Sequence, residues 1–234
     1  MVLVSHTNQF IFIKTAKTAG TSVEIFLERH CLPPHEVARG EGSAEVVSKH
    51  GIVGYRGPKP PPNVTYYNHM SASELKLLLP YELWHCYLKV ACIRNPFDQL
   101  VSLFWFQVTP ERRTYLDSLP FSQLRSDFRT WLLKSRISSN WSLISIDDQL
   151  AVDFVIRYER LLSDLQVFCE RVGIRFEPAR LGRFKTNLRG AKNFHFSEYY
   201  CCETVAYVKS LCSRDLDTFN YTLNDPGCSL VESF

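Results

Sequence analysis

The residues with the clearest chemical potential sit in the string FIFIKTAKTAGTS, Phe10 to Ser22. Lys14 and Lys17 bring positive charge, and Thr18, Thr21 and Ser22 bring hydroxyl donors. Ala19 and Gly20 are small enough to let backbone approach a ligand closely. The apolar run Phe10–Ile13 ahead of them reads as a buried strand. TSVEIFLERH behind them reads as a helix with Val23, Phe26 and Leu27 on one side. The start of a helix presents unpaired N–H groups and the positive end of its dipole, so a strand ending in this turn suits a phosphate-bearing anion. An ordinary strand-to-helix turn with two surface lysines is the plainer reading of the same residues.

A second string, RNPFDQLVSLFWF, follows the apolar run YLKVACI. Arg94 therefore stands at the C-terminal end of an expected strand, where open α/β sheets bind ligands. Ser102 lies eight residues on, two turns into the helix that Pro96 opens. Taken singly, Arg94 is equally readable as an ion-pair partner of Asp98, and Ser102 as a helix-surface serine. The third candidate is His69 in YYNHMSASEL, just before a helix. A neutral imidazole near pH 7 suits removal of a proton from an attacking hydroxyl or amine. His69 is one of seven histidines, and His30, His35, His50 and His85 have no motif around them. Glu74 is an alternative base, although its spacing from Ser71 marks a capping box.

Which phosphate ligand fits is partly decided by what the strings lack. A Walker A loop has lysine directly after its second glycine, whereas Thr21 follows Gly20 here. A Mg-nucleotide enzyme also places an acid at a strand end to hold the metal, and Arg94 occupies such a position. A ligand that draws more positive charge from protein is the better match. RLGRFKTNLRGAK, Arg180 to Lys192, holds five basic residues and no acid. It is either a solvated basic loop or a second anion-facing segment.

The elements that must position these groups alternate. AVDFVIRYE reads as a third strand, feeding a helix over RLLSDLQVFCERVG that stops at Gly173. FSQLRSDFRTWLLKS is amphipathic, and SEYYCCETVAYVKSLCSRDLDTFNY reads as one long closing helix with Val205, Val208, Cys212, Leu216 and Phe219 inward. Residues 33–63, with the breaker cluster GYRGPKPPPN, read as irregular. Strands alternating with helices predict an α/β domain with a largely parallel sheet. The 234 residues, 45% hydrophobic, suit one domain over 1–234. A net charge of +3 argues against a general nucleic-acid coat. Eight cysteines show no paired or metal-ligand spacing, and Cys86, Cys92, Cys169 and Cys212 sit in apolar patterns, which predicts buried free thiols. With neither a leader-like start nor a membrane-length apolar run, the expectation is a cytoplasmic protein with no membrane partner.

The two strings together resemble the sulfotransferases that use 3′-phosphoadenosine-5′-phosphosulfate (PAPS). KTAKTAGTS is similar to their 5′-phosphosulfate loop, and RNPFDQLVS to their 3′-phosphate motif. The chain resembles bacterial soluble members of the group that includes heparan and uronyl 2-O-sulfotransferases. The similarity extends through YYNHMSASEL, DFVIRYERLLSDL and SEYYCCETVAYVKSLCSRDLDTFNY, in the family's order. It implies a three-layer, P-loop-like fold around a mainly parallel sheet, and transfer of a sulfuryl group to a hydroxyl or amine of a small-molecule or carbohydrate acceptor. Lys17 would contact the bridging oxygen and 5′-phosphate, where a fixed ammonium stabilises charge growing on the leaving oxygen. Lys14 and Thr18, Ala19, Gly20, Thr21 and Ser22 would complete that cradle. Arg94 and Ser102 would take the 3′-phosphate, Arg189 and Lys192 would lie in the loop that closes over the nucleotide, and His69 would be the base. No metal is implied, because lysine, arginine and the helix dipole supply the countercharge. Gln99 departs from the pattern, which usually has arginine there. The alternatives are a P-loop-type small-molecule kinase and a catalytically idle binder of PAPS or its product 3′,5′-ADP (PAP). Tyr66, Tyr67, Trp105 and Phe106 are aromatic candidates for an acceptor site.

Overall fold

The computed structural model describes residues 1–36, 43–182 and 194–225. The chain divides into two compact units, Met1–Ile93 with Ser142–Phe184, and Arg94–Trp141 with Lys185–Phe234. In chain order the first unit contains β1 (Leu3–Ser5), β2 (Phe10–Ile13), α1 (Gly20–Glu28), β3 (Val46–Ser48), β4 (Gly51–Val53), α2 (Ala72–Leu78), α3 (Tyr81–Cys86) and β5 (Leu88–Ile93). The second unit begins with α4 (Pro96–Gln107), α5 (Pro110–Ser118) and α6 (Phe121–Lys134). After α7 (Trp141–Ile144), the first unit resumes with a small ribbon, β6 (Ser145–Ile146) and β7 (Gln149–Leu150), then β8 (Phe154–Arg157) and α8 (Leu161–Arg171). The second unit closes with α9 (Cys202–Leu211) and α10 (Ser213–Phe219).

The expected strands form at Phe10–Ile13, Leu88–Ile93 and Phe154–Arg157, and they pair in parallel, β2 with β5 and β5 with β8. The six-stranded sheet, ordered β3-β4-β1-β2-β5-β8, is nevertheless mixed rather than mainly parallel. β1 pairs antiparallel with both β2 and β4, and β3 antiparallel with β4. For β1–β2 and β3–β4 the reason is connection length. β1 reaches β2 through His6–Gln9, and β3 reaches β4 through Lys49–His50, both far too short for a parallel crossover. Gln9 turns in the left-handed region at φ 51, and Ser5 Oγ accepts the Asn8 N–H at 3.1 Å. β3 and β4 also lie inside the stretch read as irregular, because three-residue strands offer too little alternation to register.

Successive side chains of a strand point to opposite faces. Phe10, Phe12, Val90, Cys92 and Ile156 line one face, covered by Val23, Phe26 and Leu27 of α1 and by Leu161, Leu165 and Phe168 of α8. Ile11, Ile13, Ala91 and Ile93 are buried on the other face, so β2 is apolar throughout and β5 is apolar and buried from Val90 onward. Gly173, at φ 67, ends α8 in the left-handed turn that a glycine adopts without strain.

The second unit is built around aromatic rings. Phe128 of α6 meets Phe104 of α4, Tyr199 and Tyr200 edge-on, with centroids 5.2–5.5 Å apart. Tyr200 Oη donates to the Phe97 carbonyl at 2.7 Å, and Trp105 Nε1 to Tyr199 Oη at 3.3 Å. The expected single closing helix is instead a 3-10 turn at Phe196–Tyr199 followed by α9 and α10. Tyr199 and Tyr200 are both buried. Neighbouring residues of an α-helix point about 100° apart, so an extended Tyr200 (φ −97, ψ 148) is what turns both rings into this core. Cys212, at φ −114 and ψ 25, separates α9 from α10.

Candidate functional site

The turn between β2 and α1 is strained where chemistry was expected. Lys17 and Ala19 both take left-handed backbone, at φ 60 and φ 59. Such a conformation costs a non-glycine residue roughly 1–3 kcal/mol and persists only where its surroundings impose it. α1 starts at Gly20 with Ala19 at its N-cap and no side chain capping its first turn. That end of the helix therefore presents backbone N–H groups and positive dipole.

Two of the expected contacts are engaged inward. Lys14 is buried, and its Nζ lies 2.5 Å from Glu24 Oε2 on α1. Glu24 Oε1 takes Arg56 Nε at 2.6 Å, and Arg56 Nη2 reaches Glu28 at 2.7 Å. A Cβ added to Gly20 would lie 3.1 Å from Lys14 Cγ, so this glycine makes room for the Lys14 stem. Thr18 is fully buried, its hydroxyl 2.8 Å from Thr15 Oγ1, which donates to the Cys92 carbonyl of β5 at 2.5 Å. Ser22 is buried, while Ala16, Lys17 and Thr21 are half-buried. The sequence reading missed Glu24, Arg56 and Glu28. The available signal was two glutamates at i, i+4 within the buried stretch SVEIFLE, where a charge needs a cation.

His69 is brought onto this loop from 55 residues away, its Nδ1 3.1 Å from the Lys14 carbonyl. A carbonyl only accepts, so Nδ1 carries the proton and Nε2 is left as the acceptor. His69 is itself left-handed, at φ 58. Burial first, and then the nearby Met1 amine and Lys14, push its pKa down to about 4. The imidazole is therefore neutral at pH 7. The preceding Asn68 is tied by its Oδ1 to the Met1 amine at 2.6 Å. Glu74 forms the expected capping box: Ser71 N–H and Oγ donate to its Oε2 at 2.8 and 2.6 Å, and the Tyr67 hydroxyl donates to its Oε1. Burial alone would raise the Glu74 pKa, but these bonds outweigh it and hold the carboxyl below its ordinary value.

In the second unit, Arg94 immediately follows β5 in the chain and is nearly buried. Its Nε and Nη2 both lie 2.6 Å from Asp98 Oδ2, the ion pair that was one of its two expected roles. Ser102, half-buried, stands one turn beyond Asp98, so Arg94, Asp98 and Ser102 follow one another at four-residue spacing. Asn95 caps α4 by accepting the Phe97 N–H at 3.0 Å, and its amide donates to the Thr222 carbonyl at 2.7 Å. Gln99 is buried. Arg189 and Lys192 lie outside the described residues. Trp105 and Tyr66 are buried, Trp105 within the aromatic core, so neither is open to an acceptor; Phe106 is exposed. All seven described cysteines are free thiols; Cys31, Cys92, Cys169 and Cys212 are buried, whereas Cys86, the last residue of α3, and Cys202 are exposed and Cys201 is half-buried.

Among the described residues no helix is long and apolar enough to cross a membrane. Comparison with known families, curated proteins and solved structures returns no significant match. The chemistry available is thus that of the residues themselves: a helix N-terminus with Lys17 beside it, and a neutral imidazole of fixed tautomer docked on the same loop.

Proposed function

We propose that this chain transfers a sulfuryl group from PAPS to a hydroxyl or amine of a small-molecule or carbohydrate acceptor, releasing PAP. The observation that carries the reading is the 3.1 Å hydrogen bond from His69 Nδ1 to the Lys14 carbonyl. It joins the expected base to the expected donor loop within one unit of the fold.

In this reading the uncapped start of α1 and the backbone of Thr18–Ser22 hold the 5′-phosphate, and Lys17 faces the bridging oxygen. His69 Nε2 removes the acceptor proton as the acceptor oxygen or nitrogen attacks sulfur. The S–O bond to the 5′-phosphate breaks, and its electron pair leaves on PAP, where the Lys17 ammonium stabilises it. A base with a pKa near 4 is weak; burial is the main cause, and a polyanion in the loop opposes only the lesser contribution of the nearby positive charge. Lys14 acts from beneath, through its carbonyl and Glu24. Arg94 supplies the charge for the 3′-phosphate. A Mg-nucleotide kinase is less well supported, because Thr21 rather than a lysine follows Gly20 and Arg94 follows β5 where a metal-holding acid could stand.

Thermal unfolding with PAP, ADP and Mg-ATP tests the nucleotide. PAP should raise the unfolding temperature much more than ADP, since a ligand bound only by the folded state stabilises it by mass action. Equal shifts, or a preference for Mg-ATP, overturn the assignment. Sulfate transfer from PAPS across acceptor panels then separates enzyme from idle binder.

A further inference from the structure

Glu24 is completely buried, in the middle of α1, between the apolar residues Val23 and Phe26. A carboxylate there is tolerated only when paired. Its partners are the Lys14 ammonium, the Arg56 guanidinium and, at 3.4 Å, the Met1 amine. Arg56 has a second carboxylate, Glu28, whereas Lys14 has its short contact with Glu24.

Lys14 is the first residue beyond β2, whose ladder with β5 ends at Ile13 opposite Ala91. Sheet pairing therefore does not fix the Lys14 peptide. Three other contacts do: the ammonium on Glu24, the stem packed over Gly20, and the Thr15 hydroxyl on the Cys92 carbonyl. That same peptide presents the carbonyl that holds His69 Nδ1–H.

We propose that Glu24 is a positioning residue for His69, acting through Lys14: its carboxylate pins the ammonium, the pinned lysine holds its own carbonyl toward the imidazole, and that carbonyl selects the tautomer with a free Nε2. The functional value of the free Nε2 rests on the sulfotransferase reading. The coupling itself needs neither donor nor acceptor, so the two can fail separately.

The measurement is long-range 1H–15N NMR of the His69 ring at pH 7, in the native protein and in Glu24→Gln and Lys14→Met. Gln keeps the shape of Glu24 without its charge, and Met keeps the stem over Gly20 without the ammonium. The native ring should show one protonated Nδ1 and one unprotonated Nε2, with well-separated nitrogen shifts. Each variant should show the averaged shifts of mixed tautomers while remaining folded. The double variant, which removes both charges together, gives the same readout where a single variant does not fold. A merely structural role would lower the unfolding temperature and leave the tautomer of the folded protein unchanged. Retention of the native ring pattern in any folded variant overturns the proposal. Mixed tautomers in a protein that transfers no sulfate uphold the coupling and remove only the base role.

Discussion

Replacing His69 with asparagine isolates what the imidazole contributes to stability as a function of pH. Asparagine tolerates the left-handed backbone at φ 58, and its amide can still donate toward the Lys14 carbonyl. In the native protein, burial first, and then the Met1 amine and Lys14, lower the imidazole pKa from 6.5 to about 4. Between those values the unfolded chain binds the proton and the folded chain does not, so stability falls as pH falls through that window and is fully present above it. A gap of about 2.5 pH units at about 1.36 kcal/mol each amounts to about 3 kcal/mol in all, of which about 2 kcal/mol is lost by pH 5. His30, also pushed down to about 4 chiefly by burial, titrates in both proteins and cancels in the difference. Urea unfolding at pH 7 and pH 5 should show the native protein losing about 2 kcal/mol more than His69→Asn. Equal losses would refute the argument that His69 is folded as a neutral ring, and with it the basis for assigning Nε2 as a proton acceptor at neutral pH.

Thr15→Val should cost about 1–3 kcal/mol in the same assay, because the buried Thr18 hydroxyl and the Cys92 carbonyl each lose a partner; an unchanged midpoint would show that the loop is not tied to β5 by this hydroxyl. Arg94→Ala should destabilise by about 3–5 kcal/mol by removing the cation that the buried Asp98 carboxylate holds. Adding Asp98→Ala should restore much of that stability in urea unfolding, while PAP binding by calorimetry stays weakened; full recovery of PAP affinity in the double variant would place the 3′-phosphate elsewhere.

Much of the local structure follows from neighbouring residues alone. FIFI forms a strand buried on both faces because four consecutive apolar residues leave no side for water. Ser71 with Glu74, Asn95 before Pro96, and Gly173 mark helix ends because capping is satisfied within a few residues. The direction of the sheet was not legible in the same way. β1, β3 and β4 are three-residue strands whose existence depends on pairing with a partner, and their short connections make the sheet mixed. The split of the closing helix likewise depends on where Tyr199 and Tyr200 find the aromatic core. Within the candidate site, the loop, Arg94 and His69 were readable as residue types with suitable chemistry. What only the tertiary structure decided is how each charge is used. Lys14 and Arg94 carry the same sign and looked alike in sequence, yet one is joined to a glutamate ten residues away through the packing of α1, and the other to an aspartate one helical turn away. The backbone spacing made the second pair foreseeable. The first, and the docking of His69 on the Lys14 carbonyl, required the sheet and α1 to fold before the groups could meet.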